Sequence, residues 1–300
     1  MFKFLTPQYA LTARDRWLPR LVLSPTLTVS LIFVYGFIVW TAWLSFTDSR
    51  LLPSYNWAGW IQYYDLFDND RWWTAITNLG IFGSLFILLT LILGLFLAIL
   101  LDQKIRLEGA LRAIYLYPMA LSFIVTGTVW KWILNPDLGL QKLMVDWGFT
   151  RFTFDWLVDP ERAIYCIVIA GIWQSSGFVM ALFLAGLRGI DDSIIKAAQV
   201  DGASLPTIYW HIIIPNLRPV IFSVLLILSH IAIKSFDLVM ALTNGGPGTA
   251  SDVPATFMYQ FAFTRGQLGL GAASAMMLLM TIIAILVPLM YLETRSTRHV

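Results

Sequence analysis

The chain has 300 residues, 58% of them hydrophobic and only 13% charged, and its mean hydropathy is +0.72. Such a balance excludes a soluble globular domain and describes a polytopic membrane protein. A formal net charge of +2 gives no electrostatic footprint for nucleic acid as a partner.

A hydrocarbon core about 30 Å thick needs roughly 20 apolar residues per spanning helix. Six runs meet that length, approximately Leu21 to Phe46, Leu79 to Leu101, Ala110 to Leu134, Ala163 to Leu187, Val220 to Leu242 and Leu270 to Leu292. They are long and continuous, whereas barrel strands alternate over about ten residues. The expected fold class is all-α, with six transmembrane helices in one membrane domain covering residues 1–300.

The first run precedes an aromatic stretch at Trp57 and Trp60 and shows no small-residue cleavage site, so it reads as a retained anchor rather than a signal peptide. The stretches Thr47 to Asn78 and Asn135 to Arg162 are loop-sized and are expected to bury little core. Trp72, Trp73, Trp130, Trp132 and Trp156 fall near predicted helix ends, where they read as anchors in the headgroup layer.

Lys and Arg set the orientation. With both termini inside, the inner segments carry twelve of them (Lys3, Arg14, Arg16, Arg20, Lys104, Arg106, Arg112, Arg188, Lys196, Arg218, Arg295 and Arg298), against seven outside. The outer set is Arg50, Arg71, Lys131, Lys142, Arg151, Arg162 and Arg265.

The single Cys166 lies in the fourth run, so no intrachain disulfide forms. There is no phosphate-binding glycine loop, no H-E-x-x-H and no paired-Cys spacing, and His211, His230 and His299 are scattered. No catalytic residues and no metal site are expected. If ATP is used, another chain must supply its site.

The fourth run contains Trp173, Gln174, Ser175, Ser176 and Phe178, which combine rings with hydrogen-bonding groups. Sugars present C–H faces and many hydroxyls, so such residues suit a sugar pathway; tight helix packing is the alternative use of its small residues.

Between the fourth and fifth runs lies the insert KAAQVDGASLPTIYWHIIIP, Lys196 to Pro215. Asp191 or Asp192 can cap a short helix that Gly202 ends, and Ser204 can cap a second with Pro206 in its first turn. Small Ala197, Ala198 and Ala203 would let a partner surface approach closely. The alternative is a connector lying on the membrane.

In the fifth run, His230, Lys234 and Asp237 are spaced by four and three, which places them near one helical face where Lys and Asp can pair. Charge near the bilayer centre costs at least about 2.5 kcal/mol, so this face should meet protein or a watery cavity.

The run Lys196-Ala197-Ala198-Gln199-Val200-Asp201-Gly202-Ala203, followed by Ile214-Pro215, resembles the cytoplasmic Glu-Ala-Ala loop of ABC importer permeases. Ala241-Leu242-Thr243-Asn244-Gly245-Gly246-Pro247-Gly248 is similar to the T-N-G-G-P turn of carbohydrate permeases of the maltose-importer type. The resemblance extends over nearly all of the chain. It implies a type I importer permease fold in a bacterial inner (cytoplasmic) membrane, and sugar uptake by alternating access with a second homologous permease, two ATPase subunits and a periplasmic sugar-binding protein. It also implies that the chain itself is no enzyme and binds no cofactor, ATP and Mg residing on the partner ATPase. Lys196, Ala197, Ala198, Asp201, Gly202 and Ala203, within a loop at about 188–217, would then couple to the ATPase. Lys196 departs from the family's Glu and reverses the charge there. By the same resemblance the sugar pathway falls near Gln174, Ser175 and Phe178 and near Leu228, Ile231, Ala232 and Ser235. The pathway candidates are thus Trp173, Gln174, Ser175, Phe178, Ile231, Lys234, Ser235 and Asp237. An ion-coupled secondary transporter using Lys234 and Asp237 is the alternative, and a multi-pass enzyme has little support.

Overall fold

The computed structural model describes residues 13–103 and 106–296. Lys3, Lys104, Arg298 and His299 lie outside the described residues. Among those described, the only regular structure is helical, apart from one isolated bridge between Thr47 and Trp57.

Four helices are singly long and apolar enough to cross a membrane: Arg20–Leu44, Asp70–Asp102, Ala163–Leu187 and Leu268–Leu292. Two further crossings are bent. Glu108–Ala120 and Phe123–Ile133 meet at 100°, and Leu205–Asn216 meets Arg218–Ile233 at 65°. Counted with each bent pair as one crossing they number six, as the sequence predicts, but two are not straight.

The third crossing breaks where Tyr117–Ala120 tightens into a 3₁₀ turn containing Pro118 and Leu121 becomes extended. Ser122 restarts the helix by accepting the Val125 N–H, at 3.3 Å, on its hydroxyl. The fifth crossing, expected as one helix from Val220 to Leu242, stops at Ile233 and resumes as Phe236–Leu242. At Lys234 and Ser235 ψ is +25° and +28°, outside the helical range.

Two other expectations need correction. The second crossing begins at Asp70, capped by the Asn69 side chain, and its 33 residues extend about 50 Å, well beyond the apolar run. The stretch Thr47 to Asn78 is therefore not a bare loop: its Leu66, Trp72 and Ala75 close a small core with Phe257, Phe261 and Leu270. Trp72 is 2% exposed and meets Phe257 edge-on, so it is a core residue and not an interfacial anchor. Trp73 and Trp132 are exposed, as anchors require.

The fourth crossing is the centre of the molecule. Its face is set by small residues: a Cβ at Gly94 on the second crossing would collide with Val179, and one at Gly177 would overlap the Tyr115 carbonyl of the third. Gly127 in turn brings Phe123–Ile133 against Ala241 and the Leu238 carbonyl of Phe236–Leu242. The two halves of the third crossing are thus packed on different neighbours. The first half of the third lies on the fourth, and the second half lies on the end of the fifth.

Beside the start of the second crossing, Asp252 is 1% exposed and forms an ion pair with Arg71 while accepting the Thr256 hydroxyl at 2.7 Å. Asn78 donates its amide to the carbonyls of both Ala250 and Asp252, at 2.8 Å each. These bonds fasten the turn after the fifth crossing to the start of the second. Asp252→Ala would leave Arg71 and Thr256 without this partner and is expected to cost about 3 kcal/mol, read as a lowered unfolding midpoint in detergent. Lys196→Ala, which removes only an exposed pair with Asp192, should change it by no more than about 0.5 kcal/mol.

Candidate functional site: a helical corner and a cleft at a helix break

The corner is built as its residues dictate. Asp191 is the N-cap of Asp192–Val200, its carboxylate accepting the Ser193 N–H at 2.8 Å. That backbone bond lowers the carboxyl pKa, so the cap is complete at neutral pH and is lost as pH falls through the depressed value. At the other end, Gly202 takes φ +81°. Ala203 N–H reaches the Ala198 carbonyl at 3.0 Å and Gly202 N–H the Gln199 carbonyl at 3.1 Å, a Schellman closure. The second helix starts after Ser204 with Pro206 in its first turn; the Ser204 hydroxyl bonds Thr207 Oγ1 at 2.8 Å rather than a backbone N–H.

One side of the corner is anchored. Ile208, Ile213 and Leu217 are buried, and Ile195, Ala198 and Ala203 pack against the same core. Its other side bears exposed apolar residues in the open: Val200 is 87% exposed, Trp210 69% and Leu205 63%. Large apolar residues left this exposed beside a Gly-closed helix corner mark a candidate site of contact. Val200, Leu205 and Trp210 were not singled out from the sequence, although an apolar residue beside a Gly stop or a helix cap is a usable signal. Lys196, Ala197, Asp201 and Gly202 are exposed on this corner, whereas Ala198 and Ala203 are half-buried beneath it. Lys196 lies 3.8 Å from Asp192 within its own helix.

The second site is a narrow cleft at the break in the fifth crossing, its free space of about 10 Å³ matching one water molecule. Ile231, Lys234, Ser235 and Asp237 face it together with Phe82, Phe86 and Phe123. Phe82 and Phe86 are stacked, their centroids 5.3 Å apart. Lys234 and Asp237 are exposed in the single subunit and form no ion pair with each other, so the pairing expected from a continuous helix does not occur. Unwinding at Lys234 and Ser235 aims both groups into the cleft instead. Ser235 Oγ is buried there without a hydrogen-bond partner. His230 is exposed and is not among the lining residues.

The fourth-crossing candidates divide. Gly171 lines the cleft, but Trp173, Gln174, Ser175 and Phe178 do not. Gln174 is 3% exposed and donates its amide N–H to the Leu121 carbonyl at 2.8 Å, supplying a donor to the acceptor freed by the break in the third crossing, while its own Oε1 is buried without a partner. Ser175 is buried, and Phe178 packs into the main core. Trp173 meets Trp130 edge-on at 5.9 Å and opens on a separate apolar groove beside Tyr115, Pro118 and Ser176. The three phenylalanines of the cleft escaped the sequence reading because apolar rings in a spanning helix look the same whether they face lipid, core or cavity. No group of His, Cys, Asp and Glu suited to a metal occurs among the described residues.

The family model described as binding-protein-dependent transport system inner membrane component matches residues 90–293. A probable ABC transporter permease protein of Pyrococcus horikoshii is 41% identical over 273 residues, covering 90% of this chain and 94% of its own. The xylose/arabinose import permease protein of Haloferax volcanii is 37% identical, covering 88% and 84%. The trehalose/maltose transport system permease protein of Thermococcus litoralis is 30% identical, covering 95% and 96%. Among solved structures, a chain of a bacterial ABC transporter involved in alginate import superposes with a TM-score of 0.82 over 94% of this chain and 96% of that one, at 22% identity, which shows a shared fold. Matched by this family model over residues 90–293 and by relatives 41% and 37% identical over most of its length, the chain belongs to the binding-protein-dependent transport system inner membrane components, the permeases of ABC importers.

Proposed function

We propose that the chain is the permease subunit of an ATP-driven sugar importer, working with a second homologous permease, two ATPase subunits and a sugar-loaded binding protein outside the membrane. The observation that carries this reading is the corner: a rigidly closed helix pair, rooted in the core, with Val200, Leu205 and Trp210 offered to a partner. Sugar as cargo is supported by relatives named for xylose, arabinose, trehalose and maltose. ATP and Mg belong on the partner, and this chain binds no cofactor of its own.

The mechanism follows from the packing. Closure of the ATPase pair displaces the corner, and with it the fourth and second crossings that small residues hold together. The outer half-helices Phe123–Ile133 and Phe236–Leu242, packed on each other, are joined to that body through two breaks and through the Arg71, Asn78 and Asp252 bonds, and they tilt about these joints. The cleft lies along the line between the two bodies, so such tilting opens it to alternate sides. Its rings give platforms for C–H faces, and Lys234, Ser235 and Asp237 give donors and acceptors for hydroxyls.

Gly202→Val places a β-branched residue at φ +81°, where space is open but the backbone conformation is not. The variant should reach the membrane yet lose ATP-coupled uptake in proteoliposomes, and normal uptake would remove the coupling role.

Lys234→Ala and Asp237→Ala should assemble normally, since neither leaves a paired charge behind. Each should lower uptake about tenfold, the worth of one hydrogen bond to a charged group. Defective assembly with normal uptake by the assembled fraction would assign them to packing alone.

Both termini and the corner are placed inside. Asn56→Cys and Thr150→Cys, in a Cys166→Ala background, should react with a membrane-impermeant thiol reagent added outside, while Ser193→Cys should not. The reverse pattern inverts the orientation.

A further inference from the structure

We propose that Arg188 is a positioning residue for coupling: its guanidinium ties the start of the corner to the inner ends of the second and third crossings, so that a displacement of the corner reaches the third crossing directly. This rests on the reading of the corner as the ATPase-docking element. Arg188 caps the end of Ala163–Leu187, three residues before the Asp191 cap. Its Nη2 lies 2.8 Å from Glu108 Oε1 and its Nε 3.6 Å from Asp102 Oδ1. One planar group therefore holds carboxylates from two other helices, across the short loop that joins them.

Helix dipoles make the arrangement purposeful. Glu108 sits in the first turn of Glu108–Leu116, where an anion is favoured, so it has a local reason to be there. Asp102 ends Asp70–Asp102, where the dipole disfavours an anion, and Arg188 is the cation within ion-pair distance of it among the described residues. The three side chains are 30–43% exposed, and pairs so exposed add little to stability. Their effect is directional. Farther along the same interface, Gly177 presses on Tyr115 and Gln174 bonds Leu121, so the first half of the third crossing is fixed to the fourth at three heights. Arg188 is the one nearest the corner, where the load enters.

The test uses the full complex with its ATPase subunits in lipid nanodiscs, carrying spin labels at Ser193→Cys and Ala110→Cys in the Cys166→Ala background. Both labelled positions are exposed. Electron–electron resonance should give one narrow distance in the parent, the same without nucleotide and after trapping with MgATP and vanadate. Arg188→Gln should lose the narrow distribution and acquire a nucleotide-dependent shift while still hydrolysing ATP, and Arg188→Lys should recover part of it. Arg188→Gln combined with Glu108→Gln should be no broader than Arg188→Gln alone, as expected when a shared interaction has already been removed. If Arg188→Gln fails to insert, Glu108→Gln asks the same question. A narrow, nucleotide-invariant distance in the single variants, or additive broadening in the double, would overturn the proposal. Failure of the docking reading looks different: the ATPase subunits would not co-purify even with the parent, while the distance in the isolated permease would still report the clamp.

Discussion

The structure depends on how closely its helices approach. In a bilayer, hydrocarbon surrounds every apolar side chain whether helices associate or not, so association must come from contact distance and from polar bonds that lipid cannot make. Gly94 under Val179, Gly171 under Phe86 and Gly177 under Tyr115 supply that contact along one line. They weld the second and fourth crossings and the first half of the third into a single body. The fourth crossing is accordingly the most enclosed, two-thirds of its most apolar stretch being buried, while the first and last have none of theirs buried within the subunit.

Once that body is fixed, the breaks in the third and fifth crossings acquire a meaning. An interrupted helix within the membrane needs partners for its freed backbone groups. Gln174 meets the Leu121 carbonyl and Ser122 the Val125 N–H, so the third break is a supported joint rather than a defect. At the fifth break the groups turned loose are Lys234, Ser235 and Asp237, and they face a cleft instead of a protein partner. Each break leaves a buried polar atom without a partner, Gln174 Oε1 beside the third and Ser235 Oγ at the fifth, but the fifth also places the charged side chains of Lys234 and Asp237 on a cleft. That difference is why the second, and not the fourth-crossing cluster around Gln174, is the better place to look for cargo.

Polar bonds complete the frame at both ends of the helices. At one end, Arg71, Asp252, Thr256 and Asn78 hold the turn after the fifth crossing to the start of the second. At the other, Arg188 holds the second, third and fourth together. The corner that follows is anchored by apolar residues on one side and exposes others on the opposite side.

Much of this was legible in the sequence because it is local. Twenty or so apolar residues in lipid must be helical, Gly202 after Ala198 and Gln199 must stop a helix, and Asp191 must cap one; the helical class, the number of crossings and the corner all follow from chemistry within a few residues. What depended on tertiary structure was of another kind. Residues spaced by three and four share a face only if the helix continues, and whether it continues past Ile233 is settled by the neighbours that hold Phe236–Leu242. Likewise Gln174 and Trp72 carry the same composition signals as a ligand and an anchor, yet the freed carbonyl of Leu121 and the ring of Phe257 claim them. Sequence determines what a segment can do alone; which polar groups are taken up by the fold, and which remain free for a passing molecule, is decided only when distant segments meet.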